Sequence, residues 1–266
     1  MPDPPAPASL PGPSRGTAGR LPWEPLALTA VLAAIWEGGA RALEIPAFLL
    51  PTPSQVLRTM LAQGGRMLPH LVLTLGESLA GFVGGGLLGI IVAFGLASSA
   101  FLRRELQPLI VFSQSMPTTA LAPLLVVWFG LGTLPKALLA AVLVFFPIAV
   151  NVTAGLLQVD PDMLRLVQSY RASPWQTFTT VRLPHALGYL LAGLKIAAPL
   201  ALIGAVVGEF VGANRGIGFV ILDAAARLVT VEMLAGIAYV GLTGTGLFLS
   251  VGVLERWLAP WLVVRP

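Results

Sequence analysis

The 266-residue chain contains no cysteine. That excludes disulfides, thiolate metal centres and cysteine nucleophiles. Charge is nearly as scarce: Asp, Glu, Lys and Arg together make up 11%. A soluble domain carries about 25%, so this sequence cannot clothe a water-exposed surface. Histidine is limited to His70 and His185. Each borders an apolar run and lacks the HxxxH-type neighbour that a metal site wants, so both read as interfacial. A GxxxxGK[ST] phosphate loop is missing, which removes that route to ATP hydrolysis. Asp160 and Asp162 flank Pro161 with no second acidic cluster to join them, and they read as a solvated helix cap. No internal repeat is visible either, although many secondary carriers are built from repeats.

What the chain has is apolar length. Apolar residues make up 56% and mean hydropathy is +0.85. Uncharged runs cover 78–102, 106–135, 137–159 and 233–254, each meeting the ~20 residues that a bilayer crossing requires. Two further runs are interrupted once each, 25–40 by Glu37 and 186–208 by Lys195. The pattern predicts an all-α polytopic membrane bundle of about six spans, near 25–43, 70–97, 106–130, 135–158, 185–210 and 232–256. Residues 1–22, rich in Pro, Ala, Ser and Gly, are expected to be a disordered cytoplasmic tail. Arg15 and Arg20 precede the first apolar run, but no small-residue cleavage site follows it, which argues against a signal peptide. Basic residues concentrate in the loops that a cytoplasmic start would place inside, with Arg103-Arg104 the clearest pair. This positive-inside bias accounts for the sequence pI near 10.1 without nucleic acid and predicts both termini in the cytoplasm.

Within the spans, Gly81, Gly85 and Gly89 fall at i, i+4 and i+8, and Gly204, Gly208 and Gly212 repeat the spacing. Such faces let helices approach closely, for static packing or for sliding. Pro108, Pro117 and Pro123 punctuate the third span, with Ser113, Gln114, Met116 and Thr118 around the middle one. Hydroxyls there can re-satisfy carbonyls freed by proline; alternatively the patch lines a translocation pathway. Asn151 is a candidate for hydrogen bonding across helices. Glu209 opens the Gly-rich GEFVGANRGIG exit, either in a gate or paired with Arg215. Glu37 and Glu77, near span ends, are placed to reach headgroups.

Between the fourth and fifth spans lies a polar, helix-compatible, half-apolar stretch at about 160–184, closing on Leu183-Pro184. A membrane protein has no packing reason to keep such a segment in water, so it needs a partner. Trp175 and Phe178, three apart on one helical face, are the candidate anchors; interfacial or intramolecular packing is the alternative.

Several segments, in order, resemble the permease subunits of binding-protein-dependent ABC importers, of the nitrate/sulfonate/taurine group. They are PTPSQV at 51–56, SMPTTALAPLLVVWFGLGTLPK at 115–136, FFPIAVNVTAGL at 145–156, ASPWQTFTTVRLPHALGYLLAGLKIA at 172–197, GAVVGEFVGANRGIG at 204–218 and LERW at 254–257. The family's loop signature is Glu-Ala-Ala, three residues, Gly, nine residues, Ile, any residue, Leu-Pro. Counted back from Leu183-Pro184, Val181 stands at the Ile, Arg171 at the Gly, and Arg165, Leu166 and Val167 at Glu-Ala-Ala. The carboxyl half is therefore kept and the amino half is not, which questions the turn geometry. The Arg-Leu start is similar to relatives importing vitamin pyrimidines or riboflavin.

The resemblance implies a type I importer permease fold in the inner membrane. It further implies a homodimer, an external solute-binding protein, and an ATPase dimer that holds the ATP and magnesium, with no cofactor, metal or catalytic residue on this chain. The ATPase-coupling residues it implies are Arg165, Arg171, Ala172, Ser173, Trp175, Phe178, Leu183 and Pro184. The pathway candidates are Ser113, Gln114, Met116, Pro117, Thr118, Asn151 and Glu209. The rival classes are a secondary transporter or channel without an ATPase, and a membrane enzyme. The first wants repeats or intramembrane charges suited to ion coupling, and apart from Lys195 and Glu209 these are absent; the second wants clustered catalytic groups, and none is found.

Overall fold

A computed structural model describes residues 23–114 and 116–262. The expected tail at 1–22, Ser115 and Arg265 lie outside these residues. All regular structure among the described residues is helical: α1 (Trp23–Ala42), α2 (Pro53–Ser98), α3 (Ala100–Gln114), α4 (Thr118–Phe129), α5 (Leu134–Leu157), α6 (Pro161–Ser169), α7 (Pro174–Thr177), α8 (Leu183–Glu209), α9 (Ile217–Ala226) and α10 (Thr230–Leu262). A π-helical turn, Phe178–Arg182, joins α7 to α8.

Local chemistry sets several boundaries. PTPSQV is a helix start. The Gln55 N–H donates to Thr52 Oγ1 and the Thr52 N–H donates to Gln55 Oε1, a reciprocal cap with Pro53 at the first helical position. α2 therefore begins 17 residues before the span expected at 70 and runs for 46 residues. At 1.5 Å per residue that is about 69 Å, more than twice the ~30 Å hydrocarbon layer, so part of α2 lies outside the layer.

The span expected at 106–130 is not one helix. The chain breaks between α3 and α4, where Pro117 is extended at φ −66°, ψ 108°. Proline lacks the N–H that would continue the ladder, and its ring excludes helical geometry from the residue before it. Among the described residues four helices are long and apolar enough to cross a membrane: Pro53–Ser98, Leu134–Leu157, Pro174–Glu209 and Thr230–Leu258. α1 and the α3–α4 pair occupy the places of the other two expected spans.

α2, α5 and α8 form the centre. One buried cluster joins Ala93 of α2, Val144, Ile148, Val152 and Leu156 of α5, and Ala186, Ala197 and Ala201 of α8. A second joins Val56 and Met67 of α2 to Val206, Ile217, Val220, Ile221 and Ala235 on α8, α9 and α10. Glycine permits the first of these packings. A Cβ at Gly204 would stand 2.6 Å from Ala140 Cα, and one at Gly81 would stand 2.6 Å from the Ala137 carbonyl oxygen. Backbones that close gain dispersion contact which side chains would prevent, and in lipid that contact is the main attraction available. Gly212 does not belong to the expected face, because α8 ends at Glu209 and Gly212 turns the chain at φ 78°.

Candidate functional site

Asp160 caps α6, accepting the Asp162 N–H at 2.8 Å, with Pro161 at the first position. On the exposed face Arg165 pairs with Asp162 at 2.9 Å. The helix stops at Arg171, which adopts φ 57°. The Arg171 N–H donates to the Gln168 carbonyl and the Ala172 N–H to the Val167 carbonyl, the paired closure of a Schellman motif. The left-handed residue of such a turn is usually glycine because a Cβ is strained there. Arg171 thus keeps the turn geometry that its replacement of the signature glycine had put in question.

Two residues on, Ser173 begins α7 with another reciprocal cap. The Gln176 N–H donates to Ser173 Oγ and the Ser173 N–H to Gln176 Oε1. From Pro174 to Glu209 the backbone is one 36-residue helical rod. Leu183-Pro184, expected to close the loop, lies inside that rod. Pro184 offers no N–H to the Thr180 carbonyl and its ring crowds that oxygen. The chain answers with a wider turn, in which the Leu183 N–H reaches back to Phe178 O. Such single π turns recur at functional positions.

The two expected anchors separate. Trp175 is 72% exposed, whereas Phe178 is half-buried and packs on the α2–α5–α8 core. Its ring meets Phe94 edge-on at 5.7 Å and stacks on Trp175 at 5.9 Å. Leu166 and Tyr170, which sequence reasoning passed over as anchors, stand 53% and 79% exposed on α6 and its cap. The signal was available, since α6 is amphipathic and Leu166 and Tyr170 are four apart. Beneath α6 a groove of about 840 Å³ is lined by Met163, Val167, Val181, Pro184 and Tyr189, among others. His185 Nδ1 donates to the Gly155 carbonyl at 2.7 Å and Tyr189 Oη donates to Gln158 at 3.0 Å. The start of α8 is thereby fastened to the end of α5.

The other end of α8 carries a buried polar cluster. Glu209 is 1% exposed. It accepts from Thr74 Oγ1 at 2.6 Å and from the Gly218 N–H at 2.6 Å, rather than pairing with Arg215. The Ile217 N–H donates to Thr74 Oγ1, and the Gly216 N–H donates to His70 Nδ1. The open N–H groups at the start of α9 are thus satisfied by α2 and Glu209. GEFVGANRGIG is the sequence this needs: a Cβ at Gly216 or Gly218 would overlap the Glu209 carboxylate. Glu77, expected to reach headgroups, is 3% exposed, and Lys136, which separates two uncharged runs of the sequence, is 7% exposed. They form an ion pair at 3.0 Å between α2 and α5. Sequence reasoning missed it because each lies beside an apolar run that seemed to end there.

The proline-rich candidates do not join this cluster. Ser113 Oγ donates to the Leu109 carbonyl of its own helix, Met116 and Pro117 are exposed, and Thr118 is half-buried. The Gln114 side chain lies outside the described residues. Asn151 does not bond across helices; its amide donates to Pro147 O at 2.7 Å. Among the described residues no His, Asp and Glu side chains group to hold a metal ion. On the turn after α9, Arg227 bridges Glu232 and Asp223 at 2.8 and 2.9 Å. These hydrogen bonds, Glu232's foremost, hold its pKa above the ordinary arginine value.

Residues 85–264 match the family described as the binding-protein-dependent transport system inner membrane component. The chain belongs to this family. A probable ABC transporter permease of Haemophilus influenzae is 36% identical over 77% of this chain and 84% of its own length. The formylaminopyrimidine transport permease ThiX of Halalkalibacterium halodurans is 36% identical over 90% of this chain and 95% of its own. A crystal structure of an amino acid ABC transporter with histidines superposes with TM-score 0.59 at 19% identity, covering 75% of this chain and 97% of that one. That likeness speaks for the fold alone. The permease is therefore a multi-pass membrane component of an ABC importer, a family whose members work with a separate ATPase and a solute-binding protein.

Proposed function

We propose that this permease forms the translocation pathway for a small organic or oxyanion solute and is driven through segment 160–184 by a separate ATPase. The solute classes are those of its group: a sulfonate, taurine or nitrate-like anion, or a vitamin pyrimidine of the kind named for the Halalkalibacterium relative. Two copies pair side by side, with both termini and segment 160–184 in the cytoplasm. ATP and magnesium sit on the ATPase, and the permease itself holds no cofactor and makes or breaks no bond.

The observation that carries this reading is the unbroken helix from Pro174 to Glu209. Its exposed end presents Trp175, α6 and its cap leave Leu166 and Tyr170 exposed as well, and the remainder of the helix runs through the core. An ATPase gripping that end moves a rod that crosses the membrane, so closure of the ATPase dimer becomes a rigid-body switch between two packings. Arg165, Arg171, Ala172 and Ser173 shape the gripped surface. Phe178, Leu183 and Pro184 transmit its movement inward, and Ser113, Gln114, Met116, Pro117, Thr118, Asn151 and Glu209 are the pathway candidates.

Trp175→Glu tests the coupling. Trp175 makes no core contact beyond its stack on Phe178, so the variant is expected to reach the membrane at normal levels and to lose at least about tenfold in ATP-driven uptake, the loss of one interface anchor. Normal uptake by Trp175→Glu together with Tyr170→Glu would remove this surface from the coupling role.

A further inference from the structure

Glu77, Glu209 and Lys136 are buried together on α2, α8 and α5, at the ends of α5 and α8 remote from segment 160–184. Lys136 donates to Glu77 Oε1 at 3.0 Å. Glu209 has no cation of its own among the described residues. Its oxygens take the Thr74 hydroxyl and the Gly218 N–H, and Thr74 lies three residues before Glu77 on the same face of α2, which brings the two buried carboxyls to one place. Glu77 Oε2 is buried and has no donor. Two ionised carboxylates against one ammonium would leave an uncompensated negative charge, a buried acceptor with nothing to accept, and two like charges in contact. One proton removes all three defects.

We propose that this cluster is a proton-binding site, with Glu209 holding the proton as a carboxylic acid and donating it to Glu77 Oε2. An O–H bond forms on Glu209 and no electron is transferred. Lys136 and Glu77 stay ionised, so the cluster is neutral. Glu209 is the proton holder because Glu77 already has its ammonium partner. A protonated Glu209 still accepts from Thr74 and Gly218, since the carboxyl oxygens keep lone pairs for both.

The remaining titratable groups nearby leave this balance unchanged. His70 accepts the Gly216 N–H at Nδ1 and is therefore neutral there. Arg66 and Arg215 act electrostatically on His70. The proton would hold α2, α5, α8 and the start of α9 in one arrangement, and its loss would set two carboxylates against each other at the far end of the rod that the ATPase moves.

The test is infrared spectroscopy of the purified permease in lipid nanodiscs at neutral pH. The expected result is a carboxylic-acid C=O band in the wild type that shifts on glutamate-selective ¹³C labelling and is lost in Glu209→Gln. If that variant does not assemble, the labelled wild type decides alone. Glu37, Glu232 and Glu255 are ion-paired with Arg41, Arg227 and Lys195, Glu44 and Glu105 are exposed, and a Glu24→Gln background removes the one other glutamate outside the cluster, so a protonated glutamate at neutral pH points to the cluster. No labelled acid band would overturn the proposal. So would a band that survives Glu209→Gln and vanishes in Glu77→Gln, which moves the proton to Glu77. A melting temperature raised by sodium or potassium without any acid band would replace the proton with a metal cation and overturn it equally.

Discussion

Arg171 shows what one residue decides in this chain. Its place in the coupling signature is a glycine's, and its φ of 57° explains why the family uses glycine there. The Schellman hydrogen bonds form regardless, so the strain of a Cβ in the left-handed region, about 1 kcal/mol, is carried by the turn. Arg171→Gly is expected to relieve it. Amide hydrogen exchange across 160–184 should slow by up to about fivefold, the equivalent of about 1 kcal/mol. Unchanged exchange would mean that the arginine is held there by contacts worth as much as its strain. Glu209 makes the same point differently. Its surroundings of Thr74, Gly216 and Gly218 were readable in GEFVGANRGIG only as a glycine-rich exit, because the partner on α2 lies 135 positions earlier.

At the scale of elements, the proposed coupling runs through the joint between α7 and α8. Pro184 forces one wide turn at the point where the coupling surface becomes the membrane rod. Pro184→Ala restores the missing N–H, and regular α-helix then re-phases α7 by about 100°, one residue's turn. Trp175 would rotate away from its present face. The expected outcome is a permease of equal or greater thermal stability whose ATP-driven uptake falls severely while the partner's ATP hydrolysis continues. Retained uptake would show that the bulge is not needed to aim the coupling surface. The α5–α8 seam tests the core in the same way. A Cβ at Gly204 would stand 2.6 Å from Ala140 Cα, and backbone cannot yield as a flexible side chain does. Gly204→Val should therefore cost about 1–3 kcal/mol, as overpacking does, seen as a lower melting temperature and less folded protein in membranes. The same change at Gly188, where a Cβ would meet nothing within 4 Å, serves as the control.

At the scale of the whole molecule, the two ends of one rod hold its two polar investments, the exposed coupling face and the buried Glu77–Glu209–Lys136 cluster. The chain carries no phosphate loop, and in the proposed coupling its energy arrives through the first of these. Purification of the tagged permease in mild detergent from its host is expected to bring a nucleotide-binding ATPase along in stoichiometric amount. A chain that purified alone and moved solute without ATP after reconstitution would overturn the proposed coupling.

The sequence alone determined the solvent. With 11% charge and apolar runs of membrane length, only a helical bundle satisfies every backbone group in lipid, and ordered local motifs were enough to indicate the family. Capping residues are local too, so the starts of α2, α6 and α7 could be read from Thr52-Pro53, Asp160-Pro161 and Ser173-Pro174. Tertiary structure decided what depends on distant neighbours. It split the third span at Pro117, turned Phe178 inward and Trp175 outward, and drew Lys136 and Glu77 into the core. A hydropathy run records only how far a segment can stay in lipid. Which side chain faces lipid, a partner or another helix depends on the rotation and depth of each helix against its neighbours, and no single segment contains that information.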